Sequence, residues 1–314
     1  MTEINFNPGL TLDQIDLEML FIMVFVIVDD LYHEAVPDCV LNRLGPDASL
    51  FDSEIITLSL VGEMFFDSES SWINFVARNY RHLFPKLNER SRFHRCNKDL
   101  WVVKNLIRHK ILEKLNATFE HYHLVDSMPL PICKYAQAKR CRLFLGEVEK
   151  DQMFGVCASK TEKIYGFKLH LLVTVDGIIG NFVLTPPAPH DIRLMSKVVE
   201  GFNNMVIGAD KGYISKTLKA TLEQTQQIIL ITPKRSNQVE ENTKIEKWFL
   251  TRYRKTIKTV NSILSEQFHI TRTRARKIWG LFSKIISKIT SLTICNYINK
   301  IMGRPILQVK AIAL

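Results

Sequence analysis

The sequence predicts an α/β fold preceded by an all-helical segment, and three observations predict it. Apolar residues recur at three- and four-residue steps through residues 11–120, the spacing of amphipathic helices. From His121 the pattern switches to extended runs, two of which flank Val175-Asp176-Gly177; Asp-Gly between apolar runs is a strong hairpin signal. Helical and extended stretches then alternate, as they do in a sheet covered by helices.

The helical segment rests on Ile55, Leu58, Leu60, Val61 and Met64, on Trp72, Phe75, Val76 and Tyr80, and on Leu100, Val103, Leu106, Ile107 and Leu115. Asp52 or Ser53, with Glu54 close behind, suits a helix start. The segment is compatible with a helix-turn-helix arrangement, although no recognition helix stands out. His121-Tyr122-His123-Leu124-Val125 reads as a strand running into Asp126-Ser127, with Pro129 and Pro131 expected to stop it. A basic loop, Lys134 to Arg142, follows, and then a hairpin of Ile164 to Thr174 and Ile178 to Thr185.

Beyond the Pro186–Pro189 break, Asp191 suits the N-cap of a helix reaching about Phe202. Met205 to Ala209 reads as a buried strand ending on Asp210, and Lys211-Gly212-Tyr213 turn the chain into a helix reaching about Gln224. Gln227 to Ile231 form another strand, stopped by Pro233; Lys234 to Lys244 form a loop, and helices follow. Ile278, Leu281, Phe282, Ile285, Ile289 and Leu292 give the last helix one apolar face. The domains expected are residues 1–120, 121–302 and a tail, 303–314.

Composition excludes several classes. With 314 residues, 46% hydrophobic and 24% charged, the chain has the material for a sizeable core and is neither disordered nor collagen-like. The longest apolar run, Met19 to Val28, falls short of the roughly 20 residues of a membrane span. Glu3, Asp13, Asp16 and Glu18 precede it, unlike the basic start of a secretory signal. A cytoplasmic protein without a membrane partner is expected. Six cysteines without metal-site spacing read as reduced thiols. The net charge of +10 is concentrated late: residues 233–314 carry 17 Lys and Arg against four Asp and Glu. Such a segment attracts a polyanion, with nucleic acid the natural partner.

Asp126 and Asp210 each follow a predicted strand. Alone, either reads as a turn or capping residue. If the strands are neighbours, the two carboxylates converge at one sheet edge, as ligand-binding groups at carboxyl ends of strands commonly do. Hard oxygen ligands suit Mg²⁺ or Mn²⁺, and two such ions roughly 4 Å apart can act on a phosphodiester.

Five segments carry a family resemblance: Leu124-Val125-Asp126-Ser127-Met128-Pro129, Tyr165-Gly166-Phe167-Lys168-Leu169-His170, Leu184-Thr185-Pro186 with His190-Asp191, Gly208-Ala209-Asp210-Lys211-Gly212-Tyr213, and Thr232-Pro233-Lys234-Arg235. Their order resembles that of bacterial insertion-sequence transposases with a DDE catalytic domain, over residues 121 to about 300. The resemblance implies a ribonuclease H-like mixed sheet flanked by helices, DNA strand cleavage and joining at transposon ends, and two Mg²⁺ or Mn²⁺ ions. Asp126 and Asp210 would be the first two metal-binding residues. The third, a Glu in an Ile-Glu-Thr-Val pattern, falls where this chain has Ile257-Lys258-Thr259-Val260.

Lys258 thus stands at the expected Glu position, and a protonated ammonium cannot ligate a cation. Glu266 lies eight residues on, displaced by about 12 Å and 80° on a continuous helix; Glu246 lies twelve residues back, roughly 18 Å away. The activity expected is transposition impaired at this position. The alternatives are an inactive transposase-derived DNA-binding protein and a ribonuclease H-like structure-specific nuclease. Candidate DNA contacts are Lys168, Lys211, Arg235, Arg254, Lys255, Arg272, Arg274, Arg276 and Lys277. His170 and His190 read as structural, Gly212 as a backbone requirement and Tyr213 as packing. The partners expected are double-stranded DNA, as transposon ends and target, and a second copy of the chain, one for each end.

Overall fold

The computed structural model describes residues 16–37, 48–157, 162–188, 191–234 and 241–309. The chain divides into two compact units, one of residues 1–115, 267–269 and 282–314, the other of residues 116–266 and 270–281. The final helix therefore begins in the second unit and continues in the first.

In the first unit, α1 (Leu17–Ala35), α2 (Asp52–Phe65), α3 (Glu69–Asn79), α4 (Arg90–Asp99) and α5 (Trp101–Lys114) precede that final helix. Phe21 stacks on Trp72 and meets Phe84 edge-on, and all three are buried. Charge is buried here too. Glu63 accepts from Lys284 at 2.6 Å and from Lys288 at 2.7 Å, while Lys104 Nζ donates to Ser59 at 3.0 Å, to Ser287 at 2.9 Å and to Asn97.

The second unit is built on six strands: β1 (Tyr122–Pro131), β2 (Phe154–Cys157), β3 (Glu162–Thr174), β4 (Ile179–Thr185), β5 (Val206–Ala209) and β6 (Ile229–Ile231). The sheet runs β2-β3-β1-β5-β6, with β4 also on β3. The β1–β3, β2–β3 and β3–β4 pairs are antiparallel; β1–β5 and β5–β6 are parallel. The helices are α6 (Met195–Val198), α7 (Lys216–Gln226) and α8 (Lys244–Ser262). The helix α9 (Ile278–Ile301) follows.

Three expectations are corrected, and one strand is new. The two prolines do not stop β1, which pairs with β3 as far as Pro131. Ile132 N–H donates to Tyr165 O, so strand alternation turns the nitrogens of Pro129 and Pro131 away from β3, toward an edge that β5 has already left. β2 was not predicted; its four residues are too few for a periodicity. The helix expected from Asp191 to Phe202 is a 3₁₀ turn, Asp191–Leu194, followed by the single turn of α6. Finally, α9 has no single apolar face: Ser287, Thr290, Ser291, Thr293 and Asn296 are buried along with its aliphatic residues. Two of these hydroxyls donate to backbone carbonyls, Thr293 to Ile289 and Ser291 to Leu60, Ser287 accepts from Lys104, and Thr290 Oγ1 is buried without a partner. By length and composition α9 could cross a membrane, but 72% of its apolar window is buried inside the protein, as in a core helix.

Candidate active site

The parallel ladder pairs Val125 of β1 with Ala209 of β5. One step on, the chain places Asp126 beside Asp210, at the carboxyl end of the ladder. Asp126 stays in the β1–β3 pairing, opposite Leu171, whereas Asp210 leaves the sheet and caps the turn Lys211–Tyr213, accepting the Gly212 N–H at 2.8 Å.

A third carboxylate joins them. A Cβ added to Gly212 would stand 3.0 Å from Asp210 Oδ1 and 3.4 Å from Asp191 Oδ2, so the two side chains flank one backbone position. Asp191 Oδ1 accepts from Lys168 Nζ at 3.1 Å, and its Oδ2 from Ser127 Oγ at 3.4 Å. Behind these groups the buried His170 meets Tyr213 Oη at 3.1 Å and Thr185 Oγ1 at 3.2 Å. Burial brings the imidazole of His170 down to about 4, leaving it neutral at pH 7.

Crowded acids shift one another. Loss of water pushes Asp126 up to about 6, with repulsion from Asp210 and Asp191 adding to it; the Ser127 N–H and Asn261 oppose the shift. Asp210, at the exposed edge, is also raised by desolvation and by Asp191, against the pull of the Gly212 N–H, Arg254 and Lys168.

The helix α8 closes the site from one side. Gly208 of β5 lets it approach: a Cβ there would lie 2.8 Å from the Phe249 ring. Arg254, Lys258 and Asn261, at i, i+4 and i+7, share a helix face. Arg254 acts on Asp210, and Asn261 Nδ2 donates to Asp126 Oδ2 at 2.9 Å. Lys258 lies between them in that series and is exposed. Neither nearby acid takes its place. The helix does extend back to Glu246, but there Glu246 closes a capping box with Thr243; Glu266 is exposed on a π turn, Ile263–Gln267, beyond the end of α8.

Among the described residues no three His, Cys, Asp or Glu side chains are arranged to hold a metal ion. The chemistry of the donors fits a cation in a different way: two carboxylates cluster, and beside them Asn261, whose Nδ2 faces Asp126, has a buried Oδ1 without a hydrogen-bond partner. Asp191 is engaged by Lys168.

Of the predicted DNA contacts, Lys211, Arg254, Lys255, Arg272, Arg274, Arg276 and Lys277 are exposed. Lys168 is placed differently, its side chain only 17% exposed and paired with Asp191. Arg235 and His190 lie outside the described residues. Sequence reasoning missed Asp191 as part of the cluster, and it missed Ser127 and Asn261. The His190-Asp191 pair within the family-like segments was the available signal for the first; nothing in the spacing marked Asn261.

Asp126 and Asp210 thus stand at the carboxyl ends of two adjacent parallel strands of a mixed sheet, beside a helix that carries Arg254, Lys255 and Lys258. The transposase DDE domain family matches residues 116–278, just over half of the chain, and the chain belongs to that family. The matched span nearly coincides with the second unit. Among solved structures, the chain is similar to a piggyBac transposase synaptic complex with hairpin DNA, determined by cryo-EM, at 13% identity and a TM-score of 0.45, over 94% of this chain and 78% of that one. A search of curated proteins finds no match.

Proposed function

We propose that this transposase cleaves DNA strands at the ends of an insertion sequence and joins them to a target, with Asp126 and Asp210 as its divalent-cation ligands. The observation that carries the reading is the parallel β1–β5 pairing, which brings two carboxylates from residues 84 positions apart to one sheet edge. The order β4-β3-β1-β5-β6, antiparallel and then parallel, supports a ribonuclease H-like fold.

A bound Mg²⁺ or Mn²⁺ ion would polarise the scissile phosphodiester and neutralise charge gathering on its oxygens. The chain's own groups position the substrate: Arg254 and Lys255 on α8, and Arg272, Arg274, Arg276 and Lys277 beyond it, present exposed cations to a phosphate backbone. Lys211 does the same from the turn after Asp210. Double-stranded DNA is the partner, a dimer accommodates its two ends, and the cytoplasm is the setting.

A second reading, a DNA-binding transposase derivative with lost catalysis, is favoured by one observation: Lys258 adds positive charge where a third carboxylate would neutralise a second ion. Incubating wild type, Asp126→Asn and Lys258→Glu with element-end DNA and Mn²⁺ separates the two. Nicked and joined products from the wild type, lost in Asp126→Asn, support the enzyme. Products from Lys258→Glu alone support the derivative.

A further inference from the structure

Asn261 offers what position 258 cannot. Its amide sits against Asp126, with Nδ2 2.9 Å from Oδ2, and its Oδ1 is buried without any hydrogen-bond partner. A buried amide oxygen left unpaired costs free energy, so its isolation asks for an explanation. The amide is two-faced. Toward a bare carboxylate it presents N–H; turned 180° about χ2 it presents its oxygen, a hard donor of the kind that ligates Mg²⁺ and Mn²⁺. That rotation gives up the Asp126 bond alone, because no protein donor holds Oδ1 in its present position.

We infer that Asn261 supplies the third oxygen ligand of the Asp126–Asp210 cation site, one helical turn beyond Lys258, and that its amide turns over when the cation binds. The inference rests on the reading of those two aspartates as a cation site. It makes the donor set two carboxylates and one neutral carbonyl, with the exposed Lys258 on the same face of α8 as Asn261. Such a set suits one ion rather than two.

Electron paramagnetic resonance of free Mn²⁺ tests this on the full-length protein, without DNA and without an activity assay. Wild type should bind one Mn²⁺, Asn261→Ala should bind at least tenfold more weakly, and Asn261→Asp, which keeps the shape, should bind several-fold more tightly. Circular dichroism confirms that each variant is folded, and Asn261→Asp decides the matter if Asn261→Ala is not. Wild-type affinity in both Asn261 variants, with binding lost in Asp126→Asn, overturns the role of Asn261 and leaves the aspartate site standing. Absence of Mn²⁺ binding by folded wild type removes both.

Discussion

Asp126 and Asp210 stand one residue beyond Val125 and Ala209, which face each other across a parallel ladder; burial raises both carboxyls, Asp210 and Asp191 add to the rise at Asp126, and Asp191 adds to it at Asp210. Such a group of carboxylates is held together by the fold at a cost in stability, and that cost is measurable.

Asp126 titrates at about 6 in the fold, against 3.8 ordinarily. Between those values the folded chain holds this proton and the unfolded chain has released it, so the stability contributed by Asp126 falls as pH rises from about 4 to 6 and is level above. In chelator, Asp126→Asn should remove this contribution from the pH profile and gain on the order of 2 kcal/mol at pH 7 relative to wild type. Denaturant titrations at pH 4 and pH 7 check it; equal slopes in both proteins would count against the crowding.

Lys104 makes the opposite prediction in the first unit. Burial lowers its ammonium from 10.5 to about 7, despite the attraction of Glu63. From pH 7 to 10 the unfolded chain binds a proton that the folded chain lacks, so stability contributed at this site rises with pH across that window. Lys104→Met should flatten the rise relative to wild type, as read by thermal melts at pH 7 and pH 9.5.

Glu63 is buried between Lys284 and Lys288. Glu63→Gln should destabilise by about 3 to 5 kcal/mol, because two ammonium groups lose the carboxylate that compensates their burial. Urea denaturation measures it, and a loss below about 1 kcal/mol would show the pairs to be solvated.

A side chain at Gly208 must displace the Phe249 ring. Gly208→Val should cost about 1 to 3 kcal/mol by overpacking and should also loosen α8 over Asp126, detected as faster amide hydrogen exchange in residues 249–261. Unchanged exchange would mean that the helix does not depend on this contact.

The turn residues Asp176-Gly177 made the hairpin legible in the sequence, and the aliphatic runs ending at Asp126 and Asp210 marked two strand-end carboxylates whose convergence depended on those strands being neighbours, which the parallel pairing of β1 with β5 makes them. What escaped depends on tertiary placement. Pro129 and Pro131 are tolerated only because one edge of β1 is unpaired at that level. Asp191 resembles a helix cap in sequence, yet its carboxylate is drawn into the cluster by Lys168 and Ser127. Asn261 reaches Asp126 across 135 positions of chain, a contact that local pattern cannot encode.

The most direct test is a double-mutant cycle on Mn²⁺ affinity with wild type, Asp126→Asn, Asp210→Asn and the double variant. If the two carboxylates share one cation, each single substitution lowers affinity at least tenfold and the double variant loses little more. Losses that simply multiply, or a single substitution that leaves affinity unchanged, would contradict a common site.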